Sequence, residues 1–289
     1  MRQQNRSVLQ SLSSCTGDAP AAMSDRIEVV RLGRRKARLR VRVQEGCGIP
    51  LVICNGIGSS LEVLDPLIEH LAPTRTVVRF DVPGAGGSPL PPAPYTFPSL
   101  ARAVGRMLDR LGYDSVDVLG YSWGGALAQQ FALQNPRRCR RLVLAATSMG
   151  VLMVPAKPHV LLKMLTPRRF NDPEYMASIA ATIYGGDADA SNASVAALLK
   201  FDRSPATSRG YVYQLLAGSI WTSAFALGLI RQPTLIVAGT DDPLIPFVNA
   251  RIMHWLLPNA QILRHSGGHV DLLTSAPRLG PKIEGFLQR

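Results

Sequence analysis

Val116-Asp-Val-Leu-Gly-Tyr-Ser122-Trp-Gly-Gly-Ala-Leu-Ala-Gln-Gln-Phe131 is the stretch that decides how this chain folds. A short apolar run, Val116–Leu119, passes through Gly120-Tyr-Ser122-Trp-Gly124 into a segment of helical character. That is a strand, a sharp turn and a helix, with a serine at the tip. In a G-x-S-x-G elbow the glycines let strand and helix approach closely, while the turn strains the serine backbone. The strain holds the hydroxyl out, where a histidine can take its proton. Five-residue patterns with three fixed positions recur by chance, so the reading depends on what flanks the elbow.

On either side the pattern repeats. Leu51-Val-Ile-Cys54 and Thr76-Val-Val-Arg-Phe80 are short and almost wholly apolar, as strands covered on both faces are. Ser115–Leu119, Arg141–Ala145, Leu235–Ala238 and Gln261–Arg264 continue the series. Leu61–Leu71, Leu100–Leu111 and segments near 248–257 and 276–288 have helical spacing. Strands alternating with helices predict an α/β fold with a mostly parallel central sheet and helices on both faces. Ahead of it, Ile27–Arg31 and Ala37–Val43 alternate apolar and charged residues, which predicts an antiparallel hairpin with one wet face. The rhythm breaks between about 149 and 229. A structureless loop of that length does not suit a compact domain, so the stretch is expected to be a helical cap. The expected division is a disordered basic extension over 1–25, a core over 26–148 and 230–289, and a cap over 149–229. Met23 is an alternative start.

The chain has 289 residues, room for one large α/β domain with an insertion. No stretch reaches the ~18 uninterrupted apolar residues that suggest a membrane span. The N-terminus lacks the apolar core of a secretory signal, so a cytoplasmic protein is expected. The four cysteines, at 15, 47, 54 and 139, show neither C-x-x-C nor metal-ligand spacing and read as free thiols. The net charge is +12, and residues 1–43 hold ten basic against three acidic side chains. Solvated strand faces account for this; so does a patch that meets an anionic surface. No nucleic-acid recognition motif accompanies the charge, so nucleic acid is not an expected partner.

A nucleophilic serine needs a base, an acid that orients the base, and donors for the oxyanion. In enzymes with this elbow the chain order is serine, acid, histidine. Gly239-Thr-Asp-Asp-Pro-Leu-Ile-Pro246 directly follows the strand Leu235–Ala238, where such sheets place chemistry. Both Asp241 and Asp242 are candidates; the spacing from Gly239 and Pro246 favours Asp242, leaving Asp241 to cap the turn. Ser266-Gly-Gly-His269 follows the last strand, and its glycine pair suits a sharp turn carrying His269 over the serine. His70 and His254 fall within helices, His159 in the cap, and His265 ends a strand. Asn55-Gly-Ile-Gly58 occupies the oxyanion-loop position. Trp123 N–H and Ile57 N–H are the expected donors, with Gly58 as the alternate for the second. Asp81–Ser88 is Gly-rich but lacks a phosphate loop's ending, and reads as a structural turn lining the pocket. No cluster suggests a metal or an organic cofactor, and neither is expected.

With these residues in place, residues 27–289 resemble the α/β-hydrolase family. Asp81–Ser88, Gly120–Gly124, Gly239–Pro246 and Gly268-His269 match its pattern in order. Asn55–Gly58, Tyr121–Phe131, Met153–Pro158, Thr182–Gly186, Tyr213–Gly218 and Trp221–Ser223 are similar to the intracellular polyhydroxyalkanoate depolymerases. That resemblance implies a triad of Ser122, Asp242 and His269. It also implies a medium-chain-length storage polyester as substrate and a possible place on storage granules. Two departures stand out: the basic extension before Met23, and Ser266-Gly-Gly where acidic residues often precede the glycine. The cap's apolar surplus suits a greasy substrate, and Met153, Leu162, Ile183 and Trp221 are expected to line its path. A soluble carboxylesterase or a carbon–carbon bond hydrolase with the same triad is the alternative.

Overall fold

The alternating hairpin forms, but only its second strand follows the predicted facing: in the first, Ile27 and Val29 are exposed and Val30 is the buried residue. A computed structural model describes residues 23–32, 34–71, 75–165, 172–186 and 207–289. In it β1 (Met23–Leu32) pairs antiparallel with β2 (Arg35–Gln44). Leu39, Val41 and Val43 point into the core, while Lys36 and Arg38 face water. Arg40 and Arg42 are held against Glu62, so the basic hairpin is partly neutralised from within. Residues 23–25 were expected within the disordered extension. They belong to β1 instead, with Met23 opposite Gln44. The rest of that extension, residues 1–22, lies outside the described residues.

The sheet continues through β3 (Cys47–Cys54), β4 (Arg75–Phe80), β5 (Val116–Tyr121), β6 (Cys139–Ala145), β7 (Thr234–Gly239) and β8 (Ala260–His265). The order across it is β1-β2-β4-β3-β5-β6-β7-β8. β2 runs antiparallel to β4, and every later pair is parallel. Helices of eight residues or more among the described residues are α1 (Phe97–Leu111), α2 (Trp123–Gln134), α3 (Pro158–Leu165), α4 (Pro173–Tyr184), α5 (Ser208–Ser219), α6 (Val248–Leu256) and α7 (Ala276–Leu287). The two-residue period of the strands splits the core. Val52, Cys54, Val118 and Leu144 pack with Met107 of α1, Phe131 of α2 and Met253 of α6. Leu51, Ile53, Leu119 and Val143 pack on the opposite face with Leu64, Leu67 and Ile283 of α7.

Local chemistry sets the helix boundaries. At the start of α1, Thr96 accepts from Ser99 N–H and Ser99 returns the bond, while Gly112 at φ 78° ends the helix. The helix expected over Leu61–Leu71 forms as two short pieces, a 3-10 turn at Leu61–Leu64 and a single α turn at Asp65–Ile68. Pro66 has no N–H to offer Glu62, which prevents one continuous helix. Asp81, expected to open a turn lining the pocket, is fully buried. It accepts from Leu61 N–H at 2.6 Å and Gly87 N–H at 2.8 Å, fastening β4 to its surroundings. Cys54 and Cys139 are free and buried, but Cys47 is disulfide-bonded, which corrects the free-thiol reading for that residue.

Within 149–229 the described residues supply α3, α4 and α5 and a bridge between Gly150 and Thr222 that joins the two ends of the stretch. Val160, Met176, Ile179 and Ile183 make a small apolar cluster with Ala156 and Leu244.

Candidate active site

The elbow forms where the sequence places it. Ser122 has φ 54° and ψ −122°, a positive φ that a non-glycine residue rarely holds. A Cβ on Gly120 would sit 2.6 Å from the Ala128 Cβ, and one on Gly124 would collide with the Cys54 carbonyl. The two glycines are therefore what lets β5 turn straight into α2 beside β3. Ser122 N–H donates to Ala145 O at 2.9 Å, and Thr147 Oγ1 donates to Ser122 O at 2.7 Å, so neighbouring backbone fixes the strained residue.

Three strand ends bring Ser122, Asp242 and His269 together. His269 Nε2 lies 2.9 Å from Ser122 Oγ, and His269 Nδ1 lies 2.8 Å from Asp242 Oδ2. An ionised carboxylate only accepts hydrogen bonds. Nδ1 therefore carries the proton toward Asp242, and Nε2 is left to accept from the serine hydroxyl. Asp242 Oδ1 accepts from Leu244 N–H and Ile245 N–H, both at 2.9 Å. The turn-capping role expected of the other aspartate thus belongs to Asp242 itself. Asp241 instead accepts from Gly186 N–H at 2.8 Å, just past α4.

His269 is seated by contacts outside that relay. Its N–H donates to Tyr184 O at 2.6 Å, and its carbonyl accepts from Tyr121 Oη at 3.2 Å. The Tyr184 ring stacks on the imidazole, 8° from parallel. Burial pushes the Tyr121 phenol well above its ordinary range, with nearby Tyr184, Asp242 and Asp271 adding to the effect, so it stays a neutral donor. The glycine pair before His269 works differently from the sequence expectation. Neither Gly267 nor Gly268 has a positive φ; a side chain on Gly268 would strike the Tyr184 carbonyl. Close approach, not a sharp turn, requires glycine there. His265 is held below its ordinary range by burial and then by Arg278, and its Nδ1 accepts from Gly267 N–H.

The Asn55–Gly58 loop leans on Ser122: a Cβ on Gly56 would come 3.6 Å from the Ser122 Cβ. Trp123 is the first residue of α2, where N–H groups have no intrahelical acceptor. Gly58 N–H, the alternate expected donor, donates to Gln214 Oε1 at 2.9 Å.

The four expected substrate-path residues are not brought together. Met153 is half-buried, with its Sδ 3.1 Å from Ser148 Oγ. Leu162 is 67% exposed. Ile183 is wholly buried in the cluster between α3 and α4. Trp221 belongs to the main core, tilted against Phe97 with its Nε1 donating to Gln130 at 2.8 Å. Sequence reasoning passed over Tyr121, Tyr184 and Gln214. The last carried a usable signal, because it shares helical spacing with Tyr211 and Ala217 on the buried side of α5. No group of three or more His, Cys, Asp or Glu able to hold a metal occurs among the described residues.

A strained serine elbow on a mostly parallel sheet, joined to a histidine and an acid from later strand ends, is the architecture of one large class of hydrolases. The family model for the alpha/beta hydrolase fold matches residues 49–276, and the chain belongs to that family. Within it, the chain is 48% identical over 272 residues to a poly(3-hydroxyalkanoate) depolymerase of Ectopseudomonas oleovorans. That alignment spans 90% of this chain and 92% of the relative. It is 31% identical to a pimeloyl-[acyl-carrier protein] methyl ester esterase of Aromatoleum aromaticum, across 82% of this chain and 98% of that one. A solved hydrolase from Pseudomonas aeruginosa PA01 superposes with a TM-score of 0.73 at 23% identity, covering 91% of this chain and 98% of its own, a likeness of fold.

Proposed function

We propose that this protein is a serine esterase that cleaves medium-chain-length polyhydroxyalkanoate, an intracellular storage polyester, through an acyl-enzyme on Ser122. The observation that carries the reading is the unbroken relay from Ser122 Oγ to His269 Nε2 and from His269 Nδ1 to Asp242, set on a strained elbow. The 48% identity to a poly(3-hydroxyalkanoate) depolymerase supports the substrate class.

The chemistry follows from the geometry. Ser122 Oγ attacks the ester carbonyl as its proton passes to His269 Nε2. Asp242 steadies the imidazolium that forms. Ile57 N–H and Trp123 N–H receive the developing oxyanion, each contributing roughly 3 kcal/mol of barrier reduction. Collapse expels the hydroxyl end of the leaving chain, which takes the proton from His269. Water, deprotonated by the same histidine, then releases the acid and restores Ser122.

The stretch 149–229 acts as the cap and sets substrate class. Its surface suits an insoluble polymer. Val212, Leu216 and Ile220 sit on the outer side of α5 and just beyond, all 46% or more exposed, and Phe225 is 90% exposed. Exposed apolar groups at that density mark contact with an apolar partner. A granule surface in the cytoplasm is the proposed setting. No helix among the described residues is long and apolar enough to cross a membrane. Exposed Arg26, Lys36 and Arg38 add a salt-sensitive attraction to an anionic granule coat.

The test is incubation of the purified protein with a suspension of medium-chain polyester and analysis of the released acids. The 31%-identical methyl ester esterase keeps a second reading open, a hydrolase of small soluble esters. Release of hydroxy acids from the suspension supports the first reading. Turnover of p-nitrophenyl esters with no release from polymer supports the second.

A further inference from the structure

Gln214 is wholly buried on α5, far in sequence from the elbow and from the Asn55–Gly58 loop, yet it holds both. Its Oε1 accepts the Gly58 N–H at 2.9 Å. Its backbone carbonyl accepts the Trp123 indole Nε1–H at 3.0 Å. Gly58 directly follows Ile57, and Trp123 directly follows Ser122. One residue therefore ties together the two segments that carry the proposed oxyanion donors.

We infer that Gln214 is a positioning residue for the oxyanion hole. By taking the Gly58 N–H it fixes the peptide plane between Ile57 and Gly58. That holds the Asn55–Gly58 loop against Ser122 and keeps Ile57 N–H, and not Gly58 N–H, for the substrate. By taking the Trp123 indole it fixes the first residue of α2, whose own amide is the second donor. Packing alone does not explain an amide here. Gln214 Nε2 is buried with no hydrogen-bond partner among the described residues, an arrangement that costs free energy where leucine or methionine would fill similar space without it. The gain is in geometry: oxyanion donors act only when aimed before the reaction begins. Because Gln214 belongs to the stretch proposed as the cap, the cap also completes the catalytic site.

This inference rests on the serine-esterase reading, and the experiment separates the two. Wild type, Gln214→Leu, Gln214→Met and Gln214→Glu are compared on a soluble p-nitrophenyl acyl ester, with thermal unfolding in parallel. Glutamate keeps an oxygen for the Gly58 N–H; leucine and methionine do not, and methionine serves if the leucine variant fails to fold. The apolar variants are expected to lose about a hundredfold in kcat, the scale of a lost oxyanion donor, with KM changed less than about threefold and Tm shifted by only a few degrees, because the orphaned Gly58 N–H and the removed unpartnered Nε2 offset each other. Gln214→Glu is expected to regain at least tenfold over them. An alkyl boronic acid, which forms a tetrahedral adduct on the serine, is expected to weaken in step with kcat/KM. An apolar variant with kcat within threefold of wild type overturns the inference, as does a glutamate variant no faster than leucine. Failure of wild-type Ser122 to react with a fluorophosphonate overturns the esterase reading itself.

Discussion

Two parts of this molecule answer to different rules. Ser122, Asp242 and His269 come from three loops scattered along the chain, and the fold brings His269 within 2.9 Å of both of the others. Met153, Leu162, Ile183 and Trp221 come from one continuous stretch, and the fold disperses them: Leu162 into solvent, Ile183 into a side cluster, Trp221 into the main core and Met153 half-buried beside Ser148. Each reactive group sits at the end of a strand whose register is locked by its neighbours, so position in the sheet determines position in the site. Of the four expected lining residues, Leu162 and Ile183 sit on α3 and α4, while Met153 and Trp221 lie in connecting segments. Which face of such a helix meets substrate depends on how it docks, and nothing in one short motif specifies that.

The largest effect tests the first part. Ser122→Ala is expected to lower turnover on the order of 10^5-fold while leaving thermal unfolding within a few degrees, since the hydroxyl serves chemistry and not packing. Retention of a tenth of wild-type activity would remove Ser122 from the role of nucleophile. Next comes the aspartate pair. Asp242→Asn should cost on the order of 10^4-fold, because an amide that keeps its oxygen on Leu244 and Ile245 N–H turns its NH2 toward His269 Nδ1 and imposes the wrong tautomer. Asp241→Asn keeps an acceptor for Gly186 N–H and should stay within a few-fold of wild type. The opposite order of rates would give the acid role to Asp241.

The second part is broken by a stability measurement. Ile183 is fully buried among Val160, Met176 and Ile179. Ile183→Ala is expected to destabilise the protein by about 2–4 kcal/mol through lost burial and a residual cavity. Activity per folded molecule on soluble esters should change little. A large fall in kcat/KM at unchanged Tm would mean that Ile183 reaches substrate after all, and the dispersal described above would be wrong.

What was readable in the chain follows the same division. The elbow, the Asp242 loop and His269 were legible because glycines, strand ends and chain order constrain them together. The strands were legible from apolar runs, with ends extended by a few residues; β4 begins at Arg75 and not Thr76 because ladder pairing continues past the apolar run. The spacing over Leu61–Leu71 suits one helix, but Pro66 inside it divides the segment into two short pieces. Cys54 ends one of these apolar runs and is buried with it, where burial pushes its thiol up to about 12. Gln214, Tyr121 and Tyr184 went unassigned. Each acts through a contact between segments distant in sequence, such as Gln214 with Gly58, and a single chain carries no trace of such a pairing beyond the helical spacing that puts a polar group on a buried face.

The smallest expected effect concerns the exposed apolar residues. Leu162 on α3 and Leu216 on α5 are 67% and 46% exposed, so replacing either with serine removes little buried surface and should leave Tm within about 2 °C, as surface substitutions usually do. If the stretch 149–229 meets polymer, these side chains give up water when the enzyme settles on a particle. Each fully desolvated leucine is worth roughly 1.5–3 kcal/mol, and partial desolvation correspondingly less. A loss of about threefold to tenfold in polymer hydrolysis is therefore expected for each, with p-nitrophenyl ester turnover unchanged, and the double variant should lose more than either alone. The measurement is a ratio of two rates on one preparation, so errors in concentration cancel. Equal losses on both substrates would mean that α3 and α5 only stabilise the fold. No loss on either would move the docking surface elsewhere, to Ile220 and Phe225 beyond the end of α5 or to the basic face of the β1–β2 hairpin. The hairpin alternative would then betray itself by a dependence on salt.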